Sequence, residues 1–138
     1  MGKRGTSAQV RATQPVERSA WNEFLAEFTR ENAGAHARLE ILGPDFGRQV
    51  ETGDRPFEGA AADLRDDESN VWINLGSLSA DYLTHGIHDV TAIRALPAEG
   101  ENGPVLEIEA KDGTKTILEL SRSGAYALPR AGQAERKA

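Results

Sequence analysis

Apolar positions repeat along this chain first with a helical period and then with a strand period. The helical stripe consists of four side chains at i, i+3, i+4 and i+7, namely Trp21, Phe24, Leu25 and Phe28. The pattern predicts a helix over 20–33, with Ser19 as its N-cap and Gly34 in the left-handed conformation after the last turn. We expect its aromatic stripe to pack in the core.

After the helix the period changes to two, which predicts β-strands. They are expected over 37–42, 48–52, 57–64, 70–75, 82–87 and 90–96. The strand over 48–52 should end at Gly53-Asp54, and the last two segments read as one long strand with a bulge near Gly86–Asp89. Gly59 and the three alanines after it predict a bend or a close approach of the helix.

The final strand pair is the best constrained by its pattern. Its apolar positions must share one face, and all of them are even-numbered: Leu106, Ile108, Leu118 and Leu120. Cross-strand partners therefore have even sums, and the turn must contain an odd number of residues. A type I turn with Gly113 in the bulge position meets this condition, whereas a two-residue Asp112-Gly113 turn does not.

These elements predict an α+β, mainly β, fold. One N-terminal amphipathic helix packs on an antiparallel sheet of five or six strands, which curls into a small half-open barrel or roll. A parallel βαβ arrangement is disfavoured because no helical segment separates successive strands. We expect a single domain over 17–120, between a disordered basic tail over 1–16 and a flexible basic tail over 121–138.

Composition and charge narrow the class of partner. The 138 residues suit one domain, contain no cysteine and carry a formal net charge of −6. Residues 17–120 hold 9 basic and 21 acidic residues, a balance of −12, and each tail carries +3. Such a body would repel phosphate backbones, so no nucleic-acid partner is expected. The absence of cysteine and of any long apolar run predicts a cytoplasmic protein without a membrane partner.

Residues 21–120 resemble a family of small, mostly bacterial proteins known only as a domain of unknown function. The matching positions are Trp21, Phe24, Phe28, Arg30, Glu31, Leu39–Asp45, Gly47, Pro56–Gly59, Asp63, Leu64, Thr84, His85, Ile87, Leu106–Glu109, Asp112, Gly113 and Thr116. The resemblance implies a helix-plus-β fold and a bacterial origin, and it transfers no catalytic residue.

A weaker likeness is to Sm-like small barrels, which also place a helix before five strands. Gly59 and the spacing from Asp66 to Asn70 are similar to part of their first motif. RNA binding is nevertheless disfavoured, because the body lacks a basic rim and an aromatic cluster for base stacking.

Two speculative sites use the few residues with distinctive chemistry. His85, His88 and Asp89 would form a metal site if a bulge turned both histidines to one side, since strand residues three apart otherwise face opposite ways. Alternatively, His85 is a half-buried structural histidine and His88 is simply exposed. Trp21, Trp72 and His85 would form a small-ligand site at the seam between helix and sheet.

No catalytic residue and no cofactor are predicted. Asp66-Asp67-Glu68 reads as a solvated turn, since catalytic carboxylates need burial to shift their pKa, and the chain lacks a phosphate-binding loop and hydrolase or zinc-protease motifs. The sequence leans against an enzyme and favours a non-catalytic protein-interaction or structural domain that self-associates through an exposed strand edge. The alternatives are a small-ligand module, a metal-dependent enzyme using His85 and His88, and Sm-like RNA binding.

Overall fold

The computed structural model describes residues 13–65, 67–76, 82–100 and 102–121. They form one α-helix, one 3-10 turn and eight β-strands. In chain order these are β1 (Gln14–Val16), the 3-10 turn (Arg18–Ala20), α1 (Trp21–Asn32), β2 (His36–Gly43), β3 (Gly47–Arg65), β4 (Glu68–Leu75), β5 (Leu83–Ile87), β6 (Val90–Leu96), β7 (Val105–Ala110) and β8 (Lys115–Ser121).

The strands form one antiparallel sheet in the order β1-β6-β7-β8-β2-β3-β4-β5. The mainly β class and the antiparallel pairing predicted from the sequence are confirmed. The expected five or six strands are wrong, because the described residues form eight, and the sheet stays open with β1 and β5 at its two ends. The helix is also not the first element, since β1 precedes it.

The short strand β1 changes the expected limits of the folded region. Gln14–Val16 fall in the segment predicted to be disordered, yet Val16 pairs with Ile93 of β6 and its carbonyl oxygen accepts a 2.8 Å hydrogen bond from Trp21 Nε1. Three residues that include a proline carry no alternating pattern, so this strand could not be predicted from the sequence. Ser121, placed in the C-terminal tail, is buried as the last residue of β8. Residues 1–12 and 122–138 lie outside the described residues.

Helix α1 begins at Trp21, one residue later than a cap at Ser19 would require. Ser19 lies inside the 3-10 turn, and Ala20 occupies the N-cap without a side-chain hydrogen bond. The predicted Ser19 cap is therefore wrong. The 3-10 turn takes its place, since the Ala20 amide donates to the Glu17 carbonyl over 2.8 Å. At the other end Gly34 has φ +91°, as expected, and its amide donates to the Phe57 carbonyl.

The aromatic stripe of α1 packs on β3, which confirms its place in the core. Trp21, Leu25 and Phe28 are buried, and the Phe28 ring meets Phe57 edge to face at 5.6 Å. Burying each such side chain contributes roughly 1.5–3 kcal/mol. The helix also comes close to the strand at Gly59, where a Cβ atom would lie 3.1 Å from Thr29 Cγ2. The small residues at this point serve the close approach that the sequence predicted.

Strand β3 joins two segments that were predicted as separate strands. Its 19 residues run without interruption through Gly53-Asp54. The first part pairs with β2 as far as Pro56, and the second part pairs with β4 from Phe57 onward, so one partner strand follows the other along β3. No turn interrupts the strand, and the pairing instead shows register shifts opposite Leu39 and at Gly59.

Two further predictions about turns need correction. Glu68, expected in a solvated turn with Asp66 and Asp67, belongs to β4. Ser69 is the next residue of this strand, and its buried hydroxyl accepts hydrogen bonds from Arg18. Asp66 lies outside the described residues. The segment over 82–96 is two strands with different partners, since β5 pairs with β4 whereas β6 pairs with β7 and β1.

The β7–β8 hairpin has the predicted register. Leu106 pairs with Leu118, and Ile108 pairs with Thr116, so the sums are even. Gly113 has φ +91°, and its amide donates to the Ala110 carbonyl over 3.0 Å, which leaves a three-residue turn over 111–113. All four predicted apolar side chains are fully buried.

Candidate functional site

The residues predicted to form a ligand site at the helix–sheet seam lie in three different places. Trp21, the first residue of α1, is buried in the core. Trp72 lies on the outer face of β4, where its ring covers Gly86 of β5 and it remains 37% exposed. His85 pairs with Ile73, whose side chain is fully buried, and so points to the inner face. The structure therefore does not bring these three side chains together.

A cavity of about 630 Å³ lies beside β5, and several polar residues, among them His85, His88 and Asp89, line it. One wall is formed by five consecutive residues, 85–89, which span the end of β5 and the corner that leads into β6. The opposite wall comes from β2, the end of β7, the following turn and the start of β8. Its residues are Ile41, Ala110, Lys111, Asp112, Thr114 and Thr116.

The cavity runs along the unpaired edge of β5. Among the residues that the structure describes, strand β5 pairs only with β4 and therefore ends the sheet. His85 and Ile87 share the inner face, whereas Gly86 pairs with outward-facing Trp72, yet all three border the cavity. Adjacent residues of a strand point to opposite faces of the sheet. His85, Gly86 and Ile87 can therefore all line one cavity only if the backbone edge of β5 faces it. This edge offers main-chain donors and acceptors to a ligand.

His85 occupies the inner wall as a neutral group. It is half-buried, and loss of solvent lowers the pKa of its imidazole below the usual 6.5, while the nearby charge of Glu51 acts weakly in the opposite direction. At neutral pH the ring therefore carries one donor and one acceptor nitrogen. The expectation of a half-buried histidine is confirmed.

His88 and Asp89 border the same cavity, but the geometry does not form the predicted metal site. His88 packs edge to face against Trp72 at 5.6 Å, and its Nδ1 lies 3.3 Å from Asn70 Oδ1. Its ring thus contacts residues of the outer face, whereas His85 points inward. Asp89 has φ +54°, and its amide donates to the same Asn70 oxygen. Within the described residues no three histidine or acidic side chains form a group that could hold a metal ion.

Two features of the cavity were not recognised in the sequence. Thr116 is only 1% exposed, lines the cavity, and its hydroxyl makes no hydrogen bond to another described residue. A buried hydroxyl without a hydrogen-bond partner costs the folded protein roughly 1–3 kcal/mol. A ligand that forms a hydrogen bond to it would therefore stabilise the complex. The sequence signal for Thr116 was a polar residue at an even-numbered position, which faces inward together with Leu118 and Leu120. At the rim, the amide of Thr114 donates to the Asp112 carboxylate over 2.9 Å and lowers the pKa of Asp112.

Comparison with known proteins places the chain in a family without assigning it an activity. Residues 12–129 match the model of the family described as "Family of unknown function (DUF5335)". The chain belongs to this family. The match confirms the predicted resemblance to an uncharacterised family, and the function of DUF5335 proteins is unknown.

A further comparison agrees with this assignment. This DUF5335 chain is 24% identical over 111 residues to an "Uncharacterized protein" of Aquifex aeolicus (strain VF5), which covers 79% of this chain and 92% of the relative. The relative is bacterial, as the resemblance implied. No solved structure shows a significant match to the chain. None of the helices among the described residues is long and apolar enough to cross a membrane.

Proposed function

We propose that this DUF5335 protein is a non-catalytic interaction domain that binds an extended, basic segment of a partner protein by strand addition to β5. The observation that carries the proposal is the 630 Å³ cavity along the unpaired edge of β5. In strand addition, main-chain hydrogen bonds supply affinity and side-chain pockets supply specificity. A groove beside a free strand offers both.

The two ends of the sheet differ in how well they are protected. Strand β1 has three residues and contains Pro15, which lacks an amide hydrogen, so this end is a poor template for pairing. Strand β5 has five residues, Leu83-Thr84-His85-Gly86-Ile87, with neither proline nor a charged residue of the kind that blocks association. The contrast favours β5 as the end that accepts another strand.

Charge favours a basic partner segment. Asp89 and Asp112 border the cavity against one lysine, Lys111, and Glu51 acts on His85 from nearby. The acidic balance of residues 17–120 extends this attraction over the whole body and would steer basic segments toward it. The Thr116 hydroxyl and the neutral His85 ring provide further hydrogen-bonding groups inside the groove. A chain without cysteine is also suited to a partner in the cytoplasm.

Peptide selection followed by mapping tests the proposal. A random dodecapeptide display library is selected on the full chain, and the amide NMR shifts caused by the recovered peptide are assigned. We expect peptides with basic residues, and shifts concentrated over 83–89 and 110–116. Recovery of no specific peptide, shifts located elsewhere, or pairing of β5 with a second copy of the chain would overturn the proposal.

A matched pair of variants tests the groove itself. Ile41→Lys places a long cation inside the cavity, whereas Val50→Lys makes a similar change on the outer face of β3, opposite Glu40. We expect Ile41→Lys to weaken peptide binding at least about tenfold and Val50→Lys to leave it within about twofold, measured by fluorescence polarisation. Thermal melting confirms that each variant is folded. Equal loss in both folded variants would contradict the assigned groove.

A further inference from the structure

A second, mainly apolar groove of about 370 Å³ separates α1 from the end of β6. Phe24 and Phe28 form its helical wall, and Val16 of β1 contributes to its floor. Residues 95–98 and Pro104 form the opposite side. Phe24 is half-buried and stacks on Phe28 at 5.9 Å, so the groove presents aromatic surface to whatever fills it.

The last described strand ends beside this groove. The Leu120 amide donates to the carbonyl of Pro104 over 3.1 Å, and Pro104 is itself a wall residue. Gly103 packs so closely that an added Cβ atom would collide with the Leu120 carbonyl oxygen. Ser121, the next residue, is 3% exposed. The polypeptide beyond residue 121 therefore starts within a short distance of the groove.

The following residues have the composition and length to fill the groove. Residues 122–129 read Arg-Ser-Gly-Ala-Tyr-Ala-Leu-Pro, with Tyr126 and Leu128 as large apolar side chains. Eight extended residues span up to roughly 26–29 Å, enough to reach along the helix. The family match ends at residue 129, eight residues after β8, so the segment belongs to the shared unit of the family.

We propose that residues 122–129 of the same chain dock in the groove between α1 and β6, with Tyr126 and Leu128 against Phe24 and Phe28. Glu31 lines the groove, and Arg122 and Arg130 flank the apolar part of the segment, so charge complements the apolar contact. Docking also covers β1, the first strand of the described chain, whose residues border the groove. This inference is independent of partner binding at β5.

Hydrogen exchange of the full-length chain, followed by mass spectrometry, tests this docking. We expect residues 122–129 to exchange at least about tenfold more slowly than residues 131–138. Leu128→Asp should abolish this protection and expose the β6 residues of the groove, whereas the control Gln133→Asp should leave both unchanged. Exchange of 122–129 at the rate of an unstructured peptide would overturn the proposal.

A groove-wall pair and the oligomeric state exclude other occupants. Ala98→Arg changes an exposed wall residue, and Ala61→Arg makes the same change at an exposed position on β3 outside the groove. Only Ala98→Arg should release the segment. Sedimentation should give a monomer for the wild-type chain. Protection that survives Ala98→Arg, or a dimer that Leu128→Asp converts to monomer, would overturn docking within one chain.

Discussion

At the scale of single residues, His85 links burial to the pH dependence of stability. Desolvation lowers its pKa in the folded state below the 6.5 of an unfolded chain, with Glu51 opposing. As pH falls below 6.5, the unfolded chain takes up this proton first. The contribution of His85 to stability is therefore complete above 6.5 and is lost as pH falls through the folded pKa.

We expect the melting temperature of the wild-type chain to fall more steeply between about pH 7.5 and 5 than that of His85→Gln, which retains hydrogen bonding without titrating. The charged groups around the cavity, Glu51, Asp89, Lys111 and Asp112, are the same in both chains. His88→Gln serves as the control and should keep the wild-type slope, because His85 is unchanged. Parallel profiles for wild type and His85→Gln would contradict the assigned environment.

Other residues show what the sequence could not foresee at this scale. The alternation around Leu118 correctly predicts that Thr116 faces inward, but not that it borders a cavity, because this depends on where β5 lies relative to β8. The same limit applies to Trp72 and His85, because the register of β4 with β5 determines that they lie on opposite faces. Candidate sites that combine distant segments need this tertiary information.

At the scale of elements, the junction between β8 and the loop before β7 depends on a glycine. Gly103 lies against the Leu120 carbonyl, and a Cβ atom there would displace backbone rather than a flexible side chain. We expect Gly103→Ala to reduce the free energy of unfolding by about 2 kcal/mol or more, measured by urea denaturation.

The matched control for this junction is Gly53→Ala in β3. No atom lies within 4 Å of the added Cβ there, so the change should be neutral or stabilise the chain by up to about 1 kcal/mol. If both alanine variants lose the same stability, general backbone effects and not the close contact at Gly103 would explain the result.

Elements with a strong local pattern were predictable, and those decided by partners were not. The β7–β8 hairpin follows from parity and Gly113 alone. Gly53-Asp54 resembles a turn, yet β3 continues because β2 and β4 take over its pairing in succession. The corner at Asp89 likewise was predicted as a bulge, because the sequence does not reveal that β5 lies at one end of the sheet and β6 next to β1 at the other.

At the scale of the whole molecule, residues 17–120 have an excess of acidic residues, and many of their basic residues are paired with carboxylates. At least five of the nine arginines and lysines in 17–120 lie in ion pairs between described residues: Arg30, Arg38, Arg48, Arg65 and Arg94. Arg94 contacts two carboxylates, those of Glu107 at 2.6 Å and Glu109 at 2.9 Å. Cations held in this way cannot gather into the basic face that a phosphate backbone requires.

This distribution predicts opposite behaviour toward two charged partners. A basic peptide from the display selection should lose affinity for the protein as the salt concentration rises from about 50 to 300 mM. Salt screens the attraction between the peptide and the acidic residues of 17–120. Fluorescence anisotropy with a labelled 20-nucleotide single-stranded RNA should show no saturable binding even at the low-salt end, where phosphate contacts are strongest. A chain with its tail arginines and lysines changed to glutamine controls for weak contacts of the basic tails. Saturable RNA binding that survives this change would locate a nucleic-acid site on the body and would contradict the role assigned to its charge.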